Sequence, residues 1–174
     1  PVVIDGYTQL GSAVNSDLEG FNGVLKIELD GSLAGTSTDG LKITGGTSTV
    51  RGLVINRFDG EGIALSANGG NLIKGNFVGT DVTGTVDFGN TINGIGIIGG
   101  SGNRIGGLSP EDRNVISGNG QFGVEIFASS MNLVAGNLIG TDASGATGVG
   151  NSLGVAIRSF STTSSVGWRP ERAT

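Results

Sequence analysis

NLIKGNFVGTDVTGTVDFGN, residues Asn71 to Asn90, returns 61 residues later as NLVAGNLIGTDASGATGVGN, Asn132 to Asn151, with ten of the twenty positions identical. The same offset lays LVINRFDGEGIAL, from Leu53, over NVISGNGQFGVEI, from Asn114, so that Gly62 meets Gly123. A fixed period over most of a chain is the mark of stacked structural repeats, each burying its apolar face against its neighbours.

The period subdivides. Apolar clusters return every 22 to 32 residues, with coil starts near Thr49, Asn71, Asn103, Asn132 and Ser164 and one or two less regular coils before them. GLKITGGTST from Gly40 matches GIGIIGGSGN from Gly94 at an offset of 54, so seven residues are inserted later; they fall in IGGLSPEDR, Ile105 to Arg113, which reads as a protruding loop. Within a coil the apolar residues alternate, as in Leu41 and Ile43, Ile63 and Leu65, Ile95 and Ile97, Val124 and Ile126, and Val155 and Ile157. Alternation bounded by Gly and Asn is the strand signature, and no window has helical spacing with caps. The expected fold is all-β: a single-stranded, right-handed parallel β-helix of about six coils with little or no helix. One domain spans residues 1–174, with irregular first coils over 1–48, regular coils over 49–163 and a worn repeat over 164–174.

Asn71 and Asn132, Asn76 and Asn137, and Asn90 and Asn151 occupy matching turns, where asparagine tolerates left-handed backbone and stacked amides can bond along the axis. These read as turn ladders. Glycine, 35 of 174 residues, permits positive φ at the corners.

Net charge is −5 with a pI near 4.5, and the basic residues are scattered, which argues against a nucleic-acid surface. Cysteine is absent, so disulfides and thiolate metal sites are excluded. No run of eighteen apolar residues and no signal peptide is present, so membrane insertion is not expected. Pro1 enters directly into strand-like VVI, which suggests a processed product or an excised fragment of a longer protein.

The combination PVVIDGYTQLG, STVRGLVINRF, GNFVGTD with GNLIGTD, and IGGLSPEDRNVISGNG resembles the right-handed parallel β-helix repeat proteins of large bacterial secreted and surface polypeptides, over Pro1 to Ile157. The resemblance implies a pectate-lyase-like solenoid, an extracellular or cell-surface location and, in most members, no established activity. The terminal SSVGWRPERAT departs from it as a worn copy of NRIGGLSPEDRN.

Histidine is absent, which removes His-based acid–base catalysis, nucleophile–His pairs and His-ligated zinc. A carboxylate-only hydrolase or an Arg- or Lys-based lyase with calcium remains as the alternative to a non-catalytic module. Asp59 and Glu61 form the closest surface-turn carboxylate pair, and Asp5, Glu28 and Asp30 a second acidic group. Asp81 and Asp142 recur in GTDVTG and GTDASG, loops expected to project from one face; they read as turn staples, with calcium as the rival. Phe58, Phe77, Phe122 and Phe127 fall at strand positions and read as core. No catalytic residue, cofactor or metal is assigned. The sequence points to a structural or surface-binding solenoid whose contact surface includes Asp81, Asp142, Asp59 and Glu61, and whose partners are a glycan or copies of itself stacked end to end.

Overall fold

The computed structural model describes residues 1–159, and these build five coils of three strands each. The first coil contributes Val3–Asp5, Ile27–Asp30 and Leu41–Ile43 (β1–β3), the second Thr49–Arg51, Leu53–Asn56 and Ile63–Ser66 (β4–β6), and the third Leu72–Lys74, Phe77–Val78 and Ile95–Ile98 (β7–β9). Arg104–Gly106, Val115–Ile116 and Phe122–Phe127 (β10–β12) make the fourth, and Leu133–Ala135, Leu138–Ile139 and Leu153–Arg158 (β13–β15) the fifth. Equivalent strands pair in parallel, giving three five-stranded sheets that run the length of the molecule. The four starts expected at Thr49, Asn71, Asn103 and Asn132 fall within one residue of the observed first strands. The start at Ser164 and the worn repeat lie outside the described residues.

Alternation explains the core. Ile63, Leu65, Ile95, Ile97, Val124 and Ile126 point inward from the third sheet and meet Val50, Ile73 and Ile105 from the first and Ile55, Val78 and Ile116 from the second. Register stacks them one above another: Ile63 pairs with Ile95 and Ile95 with Val124, so like side chains form continuous apolar columns. Corners demand glycine where the chain turns tightly. Gly79 has φ +95°, and a Cβ there would run into the Ser117 carbonyl and the Asn119 amide of the next coil.

The corners carry three asparagine ladders. Asn71, Asn103 and Asn132 form one, with each Nδ2 donating to the next Oδ1 at 2.9 Å. Asn76, Asn114 and Asn137 form the second at 3.1 and 2.8 Å, and Asn90, Asn119 and Asn151 the third at 2.9 Å. The residues paired by the 61-residue offset are therefore the outer rungs, two coils apart. Asn103, Asn114 and Asn119 stand between them, because one sequence period covers two coils.

Residues 1–48 contain one coil, interrupted by long excursions. The first, residues 6–26, is a strap that leaves β1 and runs along the outside of the second sheet. Tyr7 Oη donates to the Gly75 carbonyl at 2.8 Å, Asn15 Nδ2 to Pro110 O at 2.9 Å, and Phe21 N to Ala143 O at 2.7 Å, so the strap reaches the fifth coil. Beneath it, the outward-facing Val54, Phe77 and Val115 form a second apolar cluster with Phe21, Leu25 and Ala143. Burial of this outer face replaces water at hydrocarbon that a bare solenoid would expose.

The inserted segment stands out at its tip, where Leu108 is 92% exposed, but its later part is anchored. Gly106 stands nine residues before Val115 where its equivalent Arg51 stands three before Val54, and the extra chain folds into a 3-10 turn at Pro110–Asp112 against the wall. Asp112 is buried and receives Lys74 Nζ at 2.7 Å and Arg104 Nη2 at 3.0 Å. Arg113 donates to the strap carbonyls of Leu18 at 2.9 Å and Gly20 at 2.7 Å, which locks insert and strap together.

Candidate functional site

The outer face of the third sheet brings together a group that sequence spacing did not. Lys42, Ala64, Gly96, Glu125 and Ala156 form one outward column in register. At the corner beside it, Glu61, Asn93 and Phe122 occupy equivalent places in successive coils, since Gly62 N bonds to Asn93 O and Gly94 N to Phe122 O. Gly96 carries no side chain, and the Glu61 carboxylate lies over it; a Cβ at residue 96 would overlap both carboxylate oxygens. Asn93 Nδ2 then donates to Glu61 Oε1 and to Glu125 Oε2, each at 2.9 Å. The two hydrogens of one amide diverge by about 120°, which sets those oxygens about 5 Å apart. Arg158 completes the group, with Nη1 2.8 Å from Glu125 Oε1 and its guanidinium 5.7 Å from the Phe122 ring centre.

Burial shapes the electrostatics. Glu61 is 8% exposed, and desolvation pushes its carboxyl above the ordinary value of 4.5; the Asn93 hydrogen bond pulls the other way, and the nearby charges of Asp39 and Glu125 add to the rise. A carboxyl raised on folding contributes stability below its unfolded pKa and loses it as pH rises through the folded value. Glu61→Gln keeps an acceptor for Asn93 without the charge. It is expected to flatten the decline of stability with pH above 4.5 and to stabilise the protein at neutral pH, read from urea midpoints between pH 4 and 8. An unchanged slope against pH would show that Glu61 does not titrate in this interval.

The other expected contact residues separate. Asp59 is exposed and its Oδ2 accepts from Ser37 N at 2.7 Å, toward the first coil, while Glu61 reaches the third; their carboxylates serve different neighbours. Asp5, Asp30 and Glu28 likewise disperse, to Arg51 at 2.6 Å, Arg57 at 2.8 Å and Asn56 Nδ2 at 2.8 Å. Asp81 Oδ1 accepts from Thr85 N at 3.1 Å and Val86 N at 3.0 Å, and Asp142 Oδ1 from Ser144 Oγ at 2.6 Å and Thr147 N at 3.2 Å. Burial opposes ionisation of Asp81, but the Thr83 hydroxyl and the turn amides outweigh it; the Ser144 hydroxyl leads the same lowering at Asp142. These loops do not project freely. Ala143 N bonds to Gly84 O at 2.9 Å, so the two GTD loops stack on each other and on the strap.

Two of the four phenylalanines read as core are elsewhere. Phe58 lies in the main core and Phe77 under the strap, but Phe122 and Phe127 are half-buried on the outer face of the third sheet, near Arg158. Strand alternation places Val124 and Ile126 inward and Phe127 outside, whereas Phe122 stands at the corner shared with Glu61 and Asn93, before the alternation begins. Among the described residues no three His, Cys, Asp or Glu side chains converge as metal ligands, and no helix is long and apolar enough to cross a membrane. A cavity of about 290 Å³ opens at the first-coil end, lined by Pro1, Ile4, Leu41 and Ile43 rather than by the carboxylates.

Parallel sheets joined at asparagine-laddered corners define the chain as a β-solenoid of the parallel β-helix kind. No family model, no curated protein and no solved structure matches it.

Proposed function

We propose that this chain is a non-catalytic structural module, one section of a longer β-solenoid, of the kind its sequence resembles in secreted and cell-surface polypeptides of bacteria. The observation that carries this reading is the terminal coil. Val155 and Ile157 are 47% and 78% exposed, while Val124 and Ile126, one coil inward, are 0% and 6%. Solenoid stability is a sum of coils and coil–coil interfaces, so such an end is completed by more of the same structure. The repeated residues support the same role, since Asn, Gly and the GTD loops serve turns and packing. In a screen of acidic and neutral polysaccharides with and without calcium, the module is expected to release no reducing ends. Calcium-dependent cleavage would refute the structural role.

A second reading has one observation of its own. Two carboxylates about 5 Å apart fit the separation used for retaining glycoside hydrolysis. Glu61, raised by burial, would then serve as acid and Glu125, ion-paired to Arg158, as nucleophile. Glycan hydrolysis abolished by both Glu61→Gln and Glu125→Gln would establish it; Asn93, wedged between the two and satisfying both, favours the structural role instead.

A further inference from the structure

The ladders have a direction. In each rung of the three asparagine ladders the backbone N–H of a corner residue donates to the side-chain oxygen of its equivalent one coil further toward the C-terminus, whereas at the corner before the third sheet the direction reverses, with Glu61 N donating to Asp39 Oδ1 at 3.0 Å and Phe122 N to Asn93 Oδ1 at 3.2 Å. In the first ladder Ser48 N reaches Asn71 at 3.0 Å, Asn71 N reaches Asn103 at 3.1 Å and Asn103 N reaches Asn132 at 2.9 Å. In the second, Leu53, Asn76 and Asn114 donate to Asn76, Asn114 and Asn137 at 3.1, 3.0 and 3.2 Å. In the third, Phe58, Asn90 and Asn119 donate to Asn90, Asn119 and Asn151 at 3.1, 3.3 and 2.9 Å.

The two ends of the solenoid therefore differ in chemistry. At the fifth coil the backbone N–H groups of Asn132, Asn137 and Asn151 meet no acceptor among the described residues. At the first coil two of the three matching corners are held by Val2 and Ile27, in register with Ser48 and Leu53, and neither side chain carries an oxygen. A coil added there would bury its own corner N–H groups against hydrocarbon, and an unmet buried donor is expensive.

We propose that the fifth-coil end is the face receptive at the three asparagine corners, and that its partner is a further β-solenoid coil presenting a side-chain amide oxygen at each of them. This rests on the structural reading above and adds to it a polarity and a recognition chemistry. A second copy of this chain does not qualify, because the coil it would offer is the one that begins with Val2 and Ile27. The apolar part of the match is supplied by Leu153, Val155 and Ile157, all exposed.

The test adds one coil at a time to the full chain. Ile98 and Arg158 are both in register with Phe127, so a copy of residues 99–127 inserted after Arg158 extends the solenoid in phase and brings Asn103, Asn114 and Asn119 under the three open corners. The insertion is expected to raise Tm by about 3 °C or more, and the same insertion with those three asparagines changed to alanine to lose most of the gain. A copy of residues 70–101 placed ahead of Pro1, likewise in phase, is expected to give no gain. A gain from the alanine insert equal to that from the asparagine insert overturns the recognition chemistry. Equal gains at the two ends overturn the polarity while leaving the module reading intact, whereas no gain at either end overturns the module reading itself. Concentration-dependent dimers of the parent in light scattering would also overturn the proposal.

Discussion

Asn114→Ala is expected to destabilise the protein by about 3 to 5 kcal/mol, from the penalty of roughly 1 to 3 kcal/mol for each buried polar group left without a partner. Asn114 is fully buried; its Oδ1 accepts from Asn76 N at 3.0 Å and Asn76 Nδ2 at 3.1 Å, and its Nδ2 donates to Asn137 Oδ1 at 2.8 Å and Ile73 O at 2.9 Å. Alanine removes all four bonds and leaves the Asn76 N–H in a dry corner with no replacement. A loss of that size is a large fraction of the about 5 to 15 kcal/mol that stabilises a typical domain. Asn68→Ala is the control, since Asn68 is exposed and its side chain makes one bond, to Thr44 O at 2.9 Å; its expected effect is below about 0.5 kcal/mol. Urea unfolding of the pair checks this, and equal effects at the two positions would mean that ladder asparagines are no more than turn residues.

Phe21→Ala is expected to cost about 3 to 4 kcal/mol, as for other aromatic truncations in packed sites. Phe21 is buried, lies edge-on to Phe77 with ring centres 4.7 Å apart, and fastens the strap to the fifth coil through Ala143 O. Its loss opens the second apolar cluster without touching the interior columns of the solenoid. The variant should therefore be cut within residues 6–26 by a protease that spares the parent, while the fragment from β4 onward stays resistant. Cleavage spread evenly along the chain would mean that strap and solenoid unfold together.

Much of the fold was legible because a solenoid repeats its physics. The offset of Asn71 to Asn132 exposes the period, alternation at Ile95 and Ile97 exposes the strands, and Asn with Gly at corners exposes the turns. The strap was not legible for the converse reason. Residues 6–26 have no counterpart elsewhere in the chain, and their anchors, Phe21 on Phe77 and Asn15 on Pro110, join residues far apart in sequence with no periodic cue. The carboxylate group was half legible. Glu61 stood out beside Asp59, but neighbours along a turn diverge, and the true neighbour, Glu125, is set by the register that stacks Gly96 on Glu125. One signal was available: Glu61, Asn93 and Phe122 share a place in the repeat, and a glycine three residues on, at Gly96, leaves room above it.

Asparagine ladders that seal the corners of the solenoid leave a signature in native-state hydrogen exchange resolved at single amides. The backbone N–H groups of Asn76, Asn103, Asn90 and Asn119 are expected to exchange as slowly as those of the interior strands β5 and β8, through global unfolding alone, while Asn132, Asn137 and Asn151 exchange quickly. Fast exchange at all seven corners, with protection confined to the strands, would mean that the ladders do not seal the corners.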